Sequence, residues 1–251
     1  MSIYSDLIRS DSPVGYWTLN ELIGTISSDL SGGGRDASIF GGVTKGILSP
    51  IRSDPNAMQF DGVNGRLQVA STPSGGAFDF SGNQPYSMEL WAYATENSPN
   101  AVWRRMLERE TYVTRNGYGL LIGQNTSVFS FERWAAGAGV GTGGFTMPLG
   151  FWCYILGTYD GTNLRAYGNN VLKDTRAQVG AVTAQAATLD FGSAGAGSGS
   201  FWKGGLDQIA IYNYVLSTTQ RTNHFLAASQ IFKSNAHIIT SRDAIGVIKT
   251  R

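Results

Sequence analysis

The sequence predicts an all-β fold, a two-sheet sandwich closed by a strand laid down late in the chain. Three observations carry that prediction. Short runs that alternate apolar and polar residues recur along most of the chain, each bounded by turn residues. Glycine is abundant, with 33 residues in 251, while charged residues make up 15%, the balance of a turn-rich β protein rather than a helical or disordered one. The third is the stretch 204–217, which opens on Gly204-Gly205 and alternates from Leu206 onward, with apolar residues on both faces. Such a pattern reads as a strand near the middle of a sheet. Leu206, Gln208, Ala210 and Tyr212 fall on one face; Asp207, Ile209, Ile211 and Asn213 fall on the other. A central strand this late must pair with strands made much earlier.

Taken in order, residues 5–9 fit one helical turn that Pro13 ends, and residues 14–19 read as the first strand. Residues 21–46 are loop-rich around Ser31-Gly32-Gly33-Gly34. Residues 57–60 and 66–69 flank Asp61-Gly62-Val63-Asn64-Gly65, which reads as a hairpin turn. Residues 86–93 alternate well: Tyr86, Met88, Leu90 and Ala92 share one face, Glu89, Trp91 and Tyr93 the other. Residues 106–110, 119–122 and 127–133 follow as a meander, and 135–144 as a glycine-rich rim loop. The clearest hairpin joins 152–159 to 163–167 at Asp160-Gly161. Residues 171–174 and 189–192 are further short strands, with 193–200 a second glycine loop between the latter and the closing strand. Ser217 reads as the N-cap of a helical turn starting at Thr218.

Composition excludes several roles. A formal net charge of +1 gives no electrostatic case for nucleic acid or an anionic membrane. One cysteine excludes a disulfide framework, and no run approaches the roughly 20 apolar residues of a membrane helix. Residues 1–6 have neither a basic nor an apolar signal region. The expected setting is therefore synthesis in the cytoplasm without a secretory signal.

The closing stretch Gly205-Leu206-Asp207-Gln208-Ile209-Ala210-Ile211-Tyr212-Asn213-Tyr214-Val215-Leu216-Ser217 resembles the last motif of laminin G-like domains, the concanavalin A-like jelly rolls. That motif runs glycine, apolar residue, Asp-Glu, an apolar pair, then Tyr-Asn-x-x-Leu-Ser. Gly15-Tyr16-Trp17-Thr18-Leu19-Asn20-Glu21, Met58-Gln59-Phe60-Asp61-Gly62, and Gly150-Phe151-Trp152-Cys153-Tyr154 running into Thr158-Tyr159-Asp160-Gly161 match in family order. The four cover residues 13–228 and imply a concanavalin A-like jelly-roll β-sandwich. Residues 10–17 also resemble the openings of phage-encoded structural members. The expectation is a domain over 1–228 followed by a C-terminal extension, 229–251, acting as an assembly arm. Ile231, Phe232, Ile238, Ile239, Ile245, Val247 and Ile248 make that extension too apolar for a disordered tail.

The fold also hosts polysaccharide hydrolases, which set two carboxylates about a glycosidic bond. Glu108 and Glu110 share a strand face, but the hydrolase strand signature is absent. Arg104, Arg105 and Arg109 nearby make a solvated charged strand the better reading. His224 and His237 lack a partner in any recognisable triad motif, and Cys153 reads as a buried small hydrophobe. No catalytic residue is assigned, and the chain is expected not to be an enzyme.

The resemblance implies a calcium ion at the sheet rim, held by oxygen ligands. Asp29 matches the acidic residue before the Ser-Gly turn and Asp207 the acid of the closing motif, while Gly33 and Gln208 replace an asparagine and a glutamate of the pattern. Without a metal, Asp29 reads as an Asx-turn former and Asp207 as an acceptor for loop amides. Trp103, Trp134 and Trp202 adjoin polar or glycine-rich segments and are the candidate ligand-binding residues, since aromatic rings stack on sugar faces. The functional expectation is a non-enzymatic structural or adhesive component of a phage virion, binding other virion proteins or its own copies through the arm, and surface glycans. A carbohydrate-active enzyme on the same fold and a free lectin-like module are the alternatives.

Overall fold

In the computed structural model, residues 2–111 and 114–228 are described; the expected assembly arm, residues 229–251, and His237 lie outside them. The chain forms two antiparallel sheets packed face to face. Across the first run β14 (Val171–Ala177), β13 (Asn163–Gly168), β12 (Trp152–Tyr159), β7 (Tyr86–Ala94), β16 (Lys203–Tyr212), β5 (Asn56–Asp61) and β4 (Val43–Leu48), with β1 (Gly15–Trp17) paired to β16. Across the second run β11 (Ala138–Gly141), β10 (Phe129–Ala135), β9 (Asn116–Ile122), β8 (Arg104–Thr111), β15 (Ala187–Phe191), β6 (Arg66–Thr72), β3 (Ala37–Phe40) and β2 (Ile26–Ser27). No helix among the described residues is long and apolar enough to cross a membrane.

The core lies between the sheets. Met88, Leu90 and Ala92 point into it from β7, meeting Leu120, Phe131 and Phe191 of the second sheet. Trp17 is fully buried there, 4.8 Å from the ring of Phe191. The expected face of residues 86–93 is thus the core face, and the closing strand is central, between β7 and β5.

A second apolar layer covers the outer face of the first sheet. Helix α1 (Ile3–Ser10) is capped by Ser2, whose hydroxyl accepts from the amide of Ser5. Helix α2, residues 218–228, begins on a reciprocal cap: the Gln220 amide donates to Ser217 Oγ at 3.2 Å and the Ser217 amide to Gln220 Oε1 at 3.0 Å. This capping box satisfies two donors that the first turn would leave open, and it starts a longer helix than the expected single turn. Tyr4 and Ile8 from α1 and Phe225 and Ala228 from α2 pack on Trp91, Tyr154, Leu156 and Tyr212 of the sheet.

Two local readings are corrected. Residues 61–65 do not make a hairpin: β5 belongs to the first sheet and β6 to the second, so this turn is a corner between sheets. Asp61 Oδ1 accepts from the amides of Val63, Asn64 and Gly65 at 2.8–3.0 Å, holding the crossing. The closing strand does not alternate as simple period two. Gln208 has φ +52° and the register with β7 shifts between Asp207 and Ala210. After this bulge Leu206, Ile209 and Ile211 all face the core, while Asp207, Ala210 and Tyr212 face outward. An extra residue resets which side each later residue takes.

Candidate functional site

A groove of about 770 Å³ lies on the outer face of the first sheet. Its floor comes from the outward residues of β7, which the sequence already placed on one face. Trp91 and Tyr93 contribute there, and Trp152 is the register partner of Tyr93 on β12. The Tyr93 and Trp152 rings sit 5.6 Å apart, tilted by 48°. Gly205 of β16 pairs with Tyr93 from the other side. A Cβ at Gly205 would stand 2.6 Å from Trp152 Cη2 and 3.1 Å from Ile47 Cδ1. The glycine is what lets the indole and the end of β4 meet across the sheet. The indole is then pinned: Trp152 Nε1 donates to the carbonyl of Leu48 at 3.1 Å.

One wall is Ile47, Leu48, Ser49 and Pro50; the other is Phe225 and Ala228 of α2. The Phe225 ring lies nearly parallel to that of Trp91, at 6.1 Å and 11°. Polar groups enter at the edge. The side-chain amide of Gln59 has no hydrogen-bond partner among the described residues, and Asn169 Oδ1 accepts from the Tyr154 amide at 2.9 Å. Ser49 Oγ donates to Asp207 Oδ2 at 2.5 Å. An aromatic floor with a few amides at its edge suits a ligand that has both an apolar face and hydroxyl groups.

Behind the groove, α2 is latched to the sheet by charge. His224 is fully buried, its Nδ1 2.9 Å from Glu89 Oε1 and its Nε2 2.8 Å from Asp11 Oδ2. Tyr212 donates to Glu89 at 2.7 Å, and the Tyr154 hydroxyl donates to the same carboxylate. Burial pulls the imidazole down, but the Glu89 and Asp11 carboxylates outweigh it and push His224 up to about 9.

The expected metal pair is not brought to one place by any described contact. Asp29 is saturated with donors: Tyr16 and Ser31 amides reach Oδ1 at 3.1 and 2.9 Å, and the Arg35 amide reaches Oδ2 at 3.0 Å. The Ser31 bond is the Asx turn that its alternative reading described. Asp207 is fully buried, with Ser49 on Oδ2 and no partner on Oδ1. Burial holds its carboxyl well above the ordinary range, with the Asp54 charge adding to the rise. Calcium takes six to eight oxygens, and no group of three or more His, Cys, Asp or Glu side chains that could hold a metal occurs among the described residues. The calcium expectation is carried by the open Asp207 oxygen alone.

The three candidate tryptophans separate. Trp202 is fully buried, its Nε1 donating to the carbonyl of Gly205. Its ring belongs to the core between the sheets, a correction to its reading as a ligand platform. Trp134 lies under the Arg115 guanidinium, 3.9 Å from the ring centre. Trp103 is 39% exposed. Trp134 pairs with Gly117 while Arg104, next to Trp103, pairs with Ile122, so the two stand at opposite ends of the second sheet.

The charged strand is also corrected, since it is not solvated. On the outer face of β8, Glu108 accepts from the Gly195 amide at 3.0 Å and faces Arg105 Nε at 2.7 Å. Arg105 also pairs with Glu132 at 3.0 Å, and Arg109 pairs with Asp79 at 3.4 Å. Glu110 faces Arg115 at 3.2 Å; burial, then the nearby Glu108 charge, pushes its carboxyl up to about 7. Glycine loop 193–200 reaches Glu108 through the short 3₁₀ turn Gly195–Gly197, and the buried charges of this strand are paired.

Sequence reasoning missed the groove because its candidate tryptophans were those beside loops, and Trp91 and Trp152, which lie in strands, were not among them. The available signal was that Trp91 and Tyr93 share the face opposite Met88 and Leu90, with a glycine pair in the closing motif to make room.

Comparison with known proteins bears on the fold. A laminin G family model, described as the concanavalin A-like lectin/glucanases superfamily, matches residues 61–220. Among solved structures, the binding domain of botulinum neurotoxin DC in complex with SialylT superposes with a TM-score of 0.64 at 14% identity, over 88% of this chain and 52% of that one. The binding domain of Paraclostridial Mosquitocidal Protein 1 gives 0.65 at 12%, over 89% and 53%. The serotype G neurotoxin binding domain gives 0.62 at 12%, over 85% and 50%. The chain spans about half the length of these structures, and at such identity they share its fold. No curated protein matches the sequence. The family model covers well over half the chain and agrees with the two-sheet architecture, and the chain belongs to the concanavalin A-like lectin/glucanases superfamily.

Proposed function

We propose that the chain is a non-enzymatic, glycan-binding adhesive module. The observation that carries this reading is the groove in which Tyr93 and Trp152 meet above Gly205, with Gln59 and Asn169 at its edge. Sugar rings offer apolar C–H faces to such aromatics and hydroxyls to such amides. Structures of the same fold lend support: one neurotoxin binding domain is described in complex with N-acetylneuraminic acid, and cell entry of another neurotoxin as dependent on two ganglioside molecules. The non-enzymatic reading is supported by Glu108 and Glu110, both of which are engaged by arginines. Trp103, with its exposed ring, is a second contact for glycans away from the groove.

We extend the proposal to context. The module serves as a structural component of a phage virion, with 229–251 attaching it to other virion proteins or to its own copies. Mass spectrometry and electron microscopy of purified particles test this; a chain absent from the particle refutes it.

The glycan reading is tested on an array of sialylated and neutral oligosaccharides, comparing wild type with Trp152→Ala. Loss of the indole is expected to weaken the bound class at least tenfold, a change of about 1.4 kcal/mol. Equal binding by both proteins would remove the groove from glycan recognition.

A further inference from the structure

We infer that the aromatic groove takes uncharged sugar units and turns away sialylated and other anionic ones, a choice set by its inventory of hydrogen-bonding groups. The inference rests on the glycan reading above and gives that ligand its chemical class.

An anion held against a protein surface needs a cation or several open donors, because a charge taken out of water without them is costly. Among the described residues, the lining of the groove contains no Asp, Glu, Lys, Arg or His. Basic side chains on the elements that build it are turned to other partners. Lys45 of β4 donates to the carbonyl of Gly24. On α2, the Arg221 guanidinium lies 4.4 Å from the centre of the Tyr167 ring and donates to the carbonyl of Asn170 at 3.3 Å. His224 is held between Glu89 and Asp11. Arg52 follows the wall residues and lies outside the lining.

Several donors that the lining does own are spent. Trp152 Nε1 donates to the Leu48 carbonyl and Trp91 Nε1 to the Tyr4 hydroxyl, both at 3.1 Å, so the two indoles offer ring faces without their N–H groups. Ser49 gives its proton to Asp207 Oδ2 and accepts from the Ile51 amide at 2.9 Å. A hydroxyl whose proton is committed can only accept from a ligand, and a carboxylate or sulfate has nothing to donate to it. Gln59 lies on β5, between Thr44 of β4 and Gly205 of β16, and its amide is open at both ends among the described residues. It accepts through its carbonyl and donates through its amino group, which matches a sugar hydroxyl in either sense. Bare ring faces, one forced acceptor and one open amide fit a ring of C–H and hydroxyl groups. Against an anionic relative of that ring they leave a charge unpaired, and specificity is commonly built in this way.

The test uses the full-length protein and an array of neutral oligosaccharides ending in glucose, galactose, mannose or N-acetylglucosamine. Each is paired with its counterpart capped by N-acetylneuraminic acid and with its sulfated counterpart. Wild type is expected to bind the neutral member at least tenfold more tightly, and Trp152→Ala to lose that binding. Gln59→Arg and Gln59→Lys, shown to be folded by melting curves, set a cation in the groove and are expected to narrow the ratio at least tenfold. Capped or sulfated glycans bound as tightly as neutral ones, with binding still lost in Trp152→Ala, overturn the inference and leave the glycan reading standing. A ratio that both Gln59 variants leave unchanged also overturns it, since the selectivity then lies outside the groove. Binding of neither class, or neutral binding indifferent to Trp152→Ala, removes the glycan reading of the groove and the inference with it.

Discussion

Replacing His224 with glutamine should cost the protein stability in acid and neutral solution and almost nothing in alkali. The imidazole is fully buried between Glu89 and Asp11, and its proton is held to about pH 9 rather than 6.5. A group whose folded pKa is raised favours the folded state wherever the unfolded chain would also be protonated. Its contribution is therefore complete below about pH 6.5 and declines until it is gone above about pH 9. At about 1.36 kcal/mol for each tenfold change in proton affinity, the rise amounts to about 3 kcal/mol. For a domain of this size that corresponds to roughly 6–12 °C in melting temperature. The assay is denaturant unfolding followed by tryptophan fluorescence at intervals from pH 6 to pH 10, wild type against His224→Gln. Glu110 and Asp207 also titrate with raised values, but they are common to both proteins and cancel in the difference. The difference should shrink steadily between pH 6.5 and 9. A gap that stays constant across that range would refute the charged latch and leave His224 as a packing residue.

Other substitutions separate the tryptophans and the loops. Trp202→Ala should cost about 3–5 kcal/mol by leaving a cavity in the core, whereas Trp103→Ala should stay within about 0.5 kcal/mol; thermal melts of the two distinguish core from surface. Gly205→Ala places a methyl 2.6 Å from the Trp152 ring and should displace the indole, seen as a shifted emission maximum; an unchanged spectrum would mean that the ring is not held there. Chelation tests the calcium expectation. Because Asp29 already accepts three amide hydrogens, the melting temperature should not move, and a fall that Asp207→Asn abolishes would place a cation at that oxygen.

Much of the fold was legible because strand pattern and turn chemistry agreed. Residues 86–93 declare their core face through Met88, Leu90 and Ala92, and Asp160-Gly161 declares its hairpin. What escaped has physical reasons. A bulge at Gln208 leaves no mark on a period-two pattern, because an unpaired residue looks like any other until its φ is known. Residues 61–65 carry the glycines of a hairpin, yet Asp61 uses them to turn a corner between sheets, and local sequence does not say where the next strand finds its partners. The arginines near Glu108 look solvated because ion pairs over 27 residues, such as Arg105 with Glu132, are invisible in the chain order. The groove escaped for a similar reason, since it forms where Gly205, Trp152 and Ile47 converge from three distant stretches.

The central position of β16 also governs how the protein comes into being. Gly15, Tyr16 and Trp17 pair with Ile211, Ala210 and Ile209, and β7 and β5 are joined only through β16. A ribosome must therefore finish nearly the whole domain before the first sheet can exist as one sheet. Until then β7 and β5 each present an open edge to other chains, and the decisive contacts span almost two hundred residues, which slows folding. Yield from a crowded cell will accordingly be set by the interval between synthesis of β7 and arrival of β16, and slower translation or lower temperature before residue 212 prolongs that exposure.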